Sequence, residues 1–321
     1  MSTLTKKRID LREALRWTDW RQWIIYLGFV GLFVFFAVIL RDNGFLTPNN
    51  LLNVFRQTAT ISVMAVAMTF VIASAEIDLS IGSVAGLASV VAAMAIPAFG
   101  PFVGALLGLG SALAVGIVNG AFVAGFGVPS FLVTLGMLGF IQGFSRWISG
   151  SSPIAITDKM FTDFFGGSDL GPIPGLLFWT AGGVVVGIVI MNHTVVGRRV
   201  RATGGNLTAA RYTGVNTARV KFAVLVVSSL VAGLAGLLYA GRLHSGRFQW
   251  GTGDELSVIA AVILGGTSLF GGRGAVLGSL FGALLIGLAN NGLVLAGLDV
   301  SQQQMVRGLI IVGAVALSRK R

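Results

Sequence analysis

Cysteine is absent from the 321 residues, and only two histidines, His193 and His244, are present. Disulfides and thiolate metal sites are therefore excluded, two imidazoles so far apart form no zinc-ligand pattern, and no metal is expected. Charge is scarce as well: Asp, Glu, Lys and Arg make up 11% of the chain, against about a quarter in soluble domains. None of the lysines follows a glycine, so the G-x-x-x-x-G-K-[ST] phosphate loop is missing and the chain has no ATPase motif of its own. H-E-x-x-H and G-x-S-x-G are also missing, which removes common signatures of membrane proteases and serine hydrolases.

What fills the chain instead is apolar sequence, 55% hydrophobic with 46 glycines. A bilayer core of about 30 Å takes about 20 apolar residues in a helix, and fewer where a helix ends at a buried or water-lined break. That scale predicts an all-α polytopic membrane protein, a single transmembrane domain over 1–321 with ten spans, some short or broken. They are expected near 24–40, 58–75, 81–96, 101–121, 130–148, 174–191, 221–241, 256–270, 275–296 and 304–318. The N-terminal stretch lacks a small-residue cleavage site before the first apolar run and reads as retained sequence. Residues 8–23 form either an interfacial helix, with Trp17, Trp20 and Trp23 at headgroup depth, or a solvated tail.

The net charge of +11 supplies the orientation. With the N-terminus inside, ten spans assign sixteen of the 23 Lys and Arg residues to the cytoplasm, notably Lys6 to Arg21, Arg198 to Lys221, Arg273 and Arg319 to Arg321. Arg41, Arg56, Arg146, Lys159, Arg242 and Arg247 fall outside, and Arg307 lies within the last span. Both termini are thus expected to be cytoplasmic. The basicity is topological, and no nucleic-acid partner is expected. The longest connectors are 149–173 outside, with Asp158, Asp163 and Asp169, and 192–220 inside.

Three stretches stand out. In "VIASAEIDLSIGSV", residues 71–84, two carboxylates interrupt apolar sequence. A carboxylate at the bilayer centre costs several kcal/mol, so such groups sit at helix ends, pair with cations, or line a wet path. Asp78 and Ser80 precede the run from Ile81 and are natural N-caps. Glu76 has no such role, and two readings stand for it: an ion pair with Arg273 or Arg307, or a place on a conducting cavity.

In "GRRVRATGGNLTAARYTGVNTARVK", residues 197–221, Asn206 can cap a short helix through Ala209, Ala210 and Arg211 that stops at Gly214. This is either a docking element or a basic loop. In "TGDELSVIAAVILGGTSLFGGRGAVLG", Asp254 and Glu255 open a span and five glycines crowd 265–274. Its run "VILGGTSLFGGRGAVLG" faintly echoes "VIASAEIDLSIGSVAG", and paired interrupted helices are what transporters use to build substrate paths. Asn119, Gln142, Asn290, Asn291 and Gln302 to Gln304 either join neighbouring helices or contact a polar, sugar-like solute. Glu76, Asp78, Ser80, Asn119, Gln142, Asn290 and Asn291 are accordingly the candidates for a translocation path.

Together, "AVAMTFVIASAEIDLSIGSV" (65–84), "GVPSFLVTLGML" (127–138), "TVVGRRVRATGGNLTAARYTGVN" (194–216) and "ELSVIAAVILGGTSLFGGRGAVLGSLFGALLIGLANNGL" (255–293) resemble the permease subunits of ribose-type ABC importers for monosaccharides. The resemblance runs from about residue 45 onward. It implies a second permease subunit, identical or not, in a bacterial inner membrane. It also implies two copies of a cytoplasmic ATPase carrying ATP and Mg, and an extracytoplasmic sugar-binding protein. This chain itself would bind no cofactor and catalyse no reaction. The family's coupling helix matches Gly205, Asn206, Leu207, Ala209, Ala210, Arg211, Gly214, Val215 and Asn216.

Two positions depart from the family pattern: Leu207 stands where an acidic residue is common, and Glu76 where glycine precedes Ile-Asp-Leu-Ser. The competing expectations are a permease of the related branched-chain amino-acid branch and a secondary transporter coupled to protons through Glu76 or Asp78.

Overall fold

The computed structural model describes residues 21–318; the N-terminal stretch up to residue 20, and with it most of the expected interfacial helix, lies outside the described residues. Twelve helices follow in chain order. They are α1 (Arg21–Ile39), α2 (Pro48–Ala73), α3 (Ile81–Ala124), α4 (Ser130–Ile148), the single turn α5 (Lys159–Thr162) and α6 (Gly175–His193). After them come α7 (Val195–Gly205), α8 (Leu207–Tyr212), α9 (Thr217–Leu243), α10 (Asp254–Leu264), α11 (Val276–Leu295) and α12 (Val300–Ser318).

Six of them, α2, α3, α4, α6, α9 and α11, are long and apolar enough to cross a membrane. The chain is therefore a polytopic helical membrane protein, and its exposed apolar surface has a solvent in lipid. On α4, Phe131, Leu132, Leu135, Phe140 and Phe144 all face outward, an arrangement water would not tolerate over so large a patch.

α2 lies at the centre. It begins at Pro48 rather than near 58, because Thr47 caps it and proline suits the first helical position. At 44 residues, α3 would be about 66 Å long if straight, twice the hydrocarbon thickness. It breaks at Gly100 (φ 80°, ψ 171°), between Pro97 and Pro101, into two arms that correspond to the expected spans 81–96 and 101–121. α3 and α9 touch backbone to backbone: a Cβ on Gly236 would fall 2.1 Å from the Ala85 carbonyl oxygen, and one on Gly116 would lie 2.9 Å from the Val226 Cα. Small residues bring helices this close where lipid supplies no hydrophobic drive between them.

The expected span 256–270 is corrected. The helix there, α10, ends at Leu264 after 11 residues, about 16 Å and too short to cross. Residues 265–275 continue as irregular backbone, because Gly265 and Gly266 end the helix, Gly266 at φ 90°. Within the connector 192–220, the short helix expected after Asn206 is α8, and a second helix, α7, precedes it.

At the end of the bundle away from α8, the 149–173 connector is folded. β1 (Ile154–Ala155) pairs antiparallel with β4 (Ser245–Gly246), and β2 (Asp169–Leu170) with β3 (Ile173–Pro174). Asp158 caps α5 through the Phe161 N–H at 2.9 Å, and Asp169 pairs with Arg56 at 2.5 Å.

Candidate functional site

Two breaks in the helical bundle meet at its α8 end. The first runs between α2 and α3. α2 stops in a Schellman arrangement, with the Ala75 N–H donating to Ile72 O and the Glu76 N–H to Val71 O. Ala75 takes φ 63°, a left-handed position that costs a non-glycine residue about 1–2 kcal/mol. The exposed peptide groups beyond it are met by α4: the Ile77 N–H donates to Ser130 Oγ and the Leu79 N–H to Thr134 Oγ1, each at 3.0 Å. Irregular backbone inside a membrane protein persists only where protein groups satisfy it in this way.

Asp78 is fully buried and saturated. Its Oδ1 accepts from the Ser80 N–H at 2.9 Å and the Ser80 hydroxyl at 2.6 Å, and its Oδ2 accepts from the Ser228 hydroxyl at 2.7 Å. Asn119 Nδ2 donates to Ser80 Oγ at 2.9 Å. The capping expectation is thereby corrected: Ser80 occupies the cap position of α3 but makes no side-chain cap bond, since its hydroxyl is spent on Asp78. Asp78 instead fastens the break to α9.

Glu76 is nearly buried and pairs with Lys221 of α9, Nζ to Oε1 at 2.5 Å. The expected partner Arg273 is corrected on this point, and the Arg307 side chain lies outside the described residues. Lys221 stands in the second turn of α9, directly over the break, whereas Arg273 lies on the second break and lines a separate cavity with Arg201.

That second break, 265–275, is tied internally by Ser268 N–H to Arg273 O at 3.2 Å and by Ala275 N–H to Thr267 Oγ1 at 3.0 Å. It reaches the first break through Gly272, whose N–H donates to the Ala73 carbonyl at 2.9 Å. The same carbonyl bounds Gly204 of α7, where a Cβ would fall 2.0 Å from the oxygen. The end of α2, the second break and the end of α7 thus converge on one carbonyl group.

α7 leads into α8 at Gly205. Asn206 caps α8 through its Oδ1, which accepts from the Ala209 N–H at 2.9 Å. The helix closes with Gly214 N–H to Arg211 O and Val215 N–H to Ala210 O, both 3.0 Å, and Gly214 at φ 83°. Arg211 Nε donates to Thr217 Oγ1 at 3.0 Å, tethering α8 to the first turn of α9, which Asn216 caps. Ala210 is buried and Leu207 and Val215 are half-buried, while Asn206, Ala209, Arg211, Tyr212 and Asn216 are exposed. Tyr212 is 88% exposed.

The remaining candidates lie apart from this junction. Asn291 and Asn50 bond reciprocally, at 2.9 and 3.1 Å, joining α11 to α2. Gln142 and Asn290 are half-buried. Gln302 and Gln303 serve the start of α12, through Asp299 and the Leu298 carbonyl. Reading by sequence missed Lys221, Ser130, Thr134, Ser228 and Gly204. Ser130 and Thr134 were findable, four residues apart and so on one helix face; Ser228 was a polar residue in an apolar run.

Interrupted helices in a membrane bundle are what transporters use to build substrate paths, and this chain brings two such interruptions together at Ala73. The chain belongs to the family described as branched-chain amino acid transport system / permease component, which matches residues 50–315. It is 39% identical over 303 residues to the ribose import permease protein RbsC of Escherichia coli K12, covering 91% of this chain and 92% of that one. It is 40% identical over 297 residues to the probable ABC transporter permease protein YphD of the same organism, covering 90% and 89%. To the L-arabinose ABC transporter permease protein AraH of Azospirillum brasilense it is 35% identical over 298 residues, covering 92% and 87%.

Proposed function

We propose that this chain is the transmembrane subunit of an ATP-driven importer for a monosaccharide or related polyol. The observation that carries the reading is 34–39% identity, over about nine-tenths of the chain, to permeases named for ribose, L-arabinose and D-allose. The family description includes branched-chain amino acids, but a zwitterion calls for charged or helix-terminal partners at both its ends. The carboxylates Asp78 and Glu76 are already committed, to serines and to Lys221. This also speaks against proton coupling through either.

In this reading the chain has ten membrane-crossing or half-crossing segments, counting both arms of α3 and the half-helix α10, with both termini in the cytoplasm. It binds no cofactor and no metal; ATP and Mg are held by a cytoplasmic ATPase. A second permease subunit completes the path across the inner membrane, and an extracytoplasmic binding protein delivers the sugar. α8 is the coupling helix: its exposed residues, Asn206, Ala209, Arg211, Tyr212 and Asn216, meet the ATPase, with Gly205, Leu207, Ala210, Gly214 and Val215 shaping it. A push on α8 travels through Arg211–Thr217 into α9, and through Gly204 into the breaks. Gln142 and Asn290, half-buried and without a side-chain hydrogen bond among the described residues, are the amides available to a passing sugar.

Reconstitution in vesicles with the ATPase and binding protein tests this. Labelled ribose, arabinose and allose should accumulate with ATP and stop without it. Uptake that survives ATP removal and collapses with the proton gradient would overturn the reading.

A further inference from the structure

The segment between α9 and α10 does not stay at the outer end of the bundle. It leaves α9 after Leu243 and turns back along α3. A Cβ on Gly246 would meet the Ser89 carbonyl oxygen at 2.5 Å, one on Gly86 the Phe248 carbonyl oxygen at 2.6 Å, and one on Gly82 would collide with the Gly251 carbonyl. Ser89, Gly86 and Gly82 descend one face of α3, so between Gly246 and Gly251 the chain drops about 10 Å into the bundle. The depth reached follows from α9, a crossing helix of 27 residues: Ser228, near its middle, holds Asp78. Gly82 comes four residues after Asp78 and so lies at hydrocarbon depth, as do Gly251 against it and the start of α10 at Asp254.

At that depth the surface is polar and open. Gln249 and Thr252 are exposed, and Glu255, in the first turn of α10, is half-buried. Neither the Gln249 nor the Thr252 side chain makes a hydrogen bond among the described residues. Lipid solvates neither an amide nor a carboxylate, so such groups face protein or water. The support beneath them is built from aromatic rings. Trp250 stacks on Tyr239 at 6.1 Å, its Nε1 donates to the Ser245 carbonyl at 2.8 Å, and the Arg247 guanidinium lies over its ring at 5.1 Å. The Tyr239 hydroxyl in turn donates to Asp254 at 2.6 Å, tying the returning segment to α9.

We propose that Gln249, Thr252 and Glu255 form a wet wall of the translocation path that contacts the sugar, Glu255 accepting from its hydroxyls and Gln249 and Thr252 exchanging hydrogen bonds with them. The proposal rests on the importer reading and sharpens its substrate class. Acceptors and an amide suit a neutral polyhydroxyl solute. The arginine of the segment, Arg247, is laid over Trp250 and is not presented to the carboxylate that an amino acid would bring.

Two measurements on the complex reconstituted with its ATPase and binding protein test this. Because the chain has no cysteine, Gln249→Cys and Thr252→Cys can be titrated with a charged, water-soluble methanethiosulfonate. Both should react about tenfold faster than Leu135→Cys and Phe140→Cys, which face outward on α4. Rates no faster than those of the α4 pair would show a surface sealed by lipid or by the second subunit, and overturn the wall. Uptake and ATP hydrolysis are then measured for Glu255→Gln with ribose, L-arabinose and D-allose as probes. Uptake of whichever sugar the wild type carries should fall about tenfold, the loss expected of one charged acceptor, while hydrolysis stimulated by the loaded binding protein persists. Wild-type uptake, or an equal loss of uptake and hydrolysis, would overturn the contact. Should Glu255→Gln fail to assemble, Gln249→Leu and Thr252→Val decide by the same split, and wild-type uptake in both would sink the proposal. Labelling involves no transport, so a wild type that carries none of the three sugars would count against the importer reading alone.

Discussion

Lys221 reaches back from α9 to a carboxylate that is only 6% exposed, while its own side chain is 24% exposed. The two ends of this pair are therefore unequal. Lys221→Met strands a buried carboxylate, whereas Glu76→Gln leaves an ammonium that can turn toward water. Breaking a fully buried pair costs about 3–5 kcal/mol, and the partial exposure of Lys221 lowers this to about 1–3 kcal/mol. Unfolding midpoints in nanodiscs should fall more for Lys221→Met than for Glu76→Gln, and the double variant should recover most of the loss. Additive single effects would show that the pair contributes nothing. At Gly214, φ 83° makes any β-branched side chain strained. Gly214→Val should lower ATP-driven uptake while the chain still folds, and Arg211→Glu should do the same by losing Thr217 as well as reversing charge. Uptake at the wild-type level in both variants would remove α8 from coupling. The helix from Asn206 to Gly214 was legible in the sequence because cap and stop lie within a few residues of what they cap. Lys221 was not: its partner is 145 positions away, and in the sequence it reads only as one more cytoplasmic cation.

At the scale of elements, composition located the apolar segments and misjudged how they end. The 256–270 run carries no charge, and hydropathy cannot distinguish a helix from irregular backbone whose donors are met by Thr267 and by carbonyl groups. The break between Ala73 and Ile81 was visible through its polar residues, but its fastening to α4 and α9 depends on Ser130, Thr134 and Ser228 meeting it in space. The junction of α7 with both breaks makes a paired prediction. A Cβ at Gly204 collides with the Ala73 carbonyl, whereas one at Gly205 meets Gly272 at an ordinary 3.6 Å. Gly204→Ala should lower the unfolding midpoint by several degrees and depress uptake, and Gly205→Ala should do neither. Equal behaviour of the two would show that the close approach at Ala73 carries no strain.

For the whole molecule, the absence of cysteine makes sidedness directly measurable. Tyr212→Cys on α8 and Met160→Cys on α5 stand at opposite ends, 88% and 74% exposed. A membrane-impermeant maleimide added to intact cells should label Met160→Cys and spare Tyr212→Cys until the membrane is opened. The reverse pattern would invert the orientation deduced from the cations. The backbone contact of α3 with α9 has its own mechanical consequence. Where Gly236 meets Ala85 and Gly116 meets Val226, no layer of side chains remains to slide or repack. The pair is expected to move as a unit, a displacement at the foot of α9 carrying α3 with it. Flexure must then be taken up where backbone is irregular outside this pair, in the two interrupted segments that meet at Ala73.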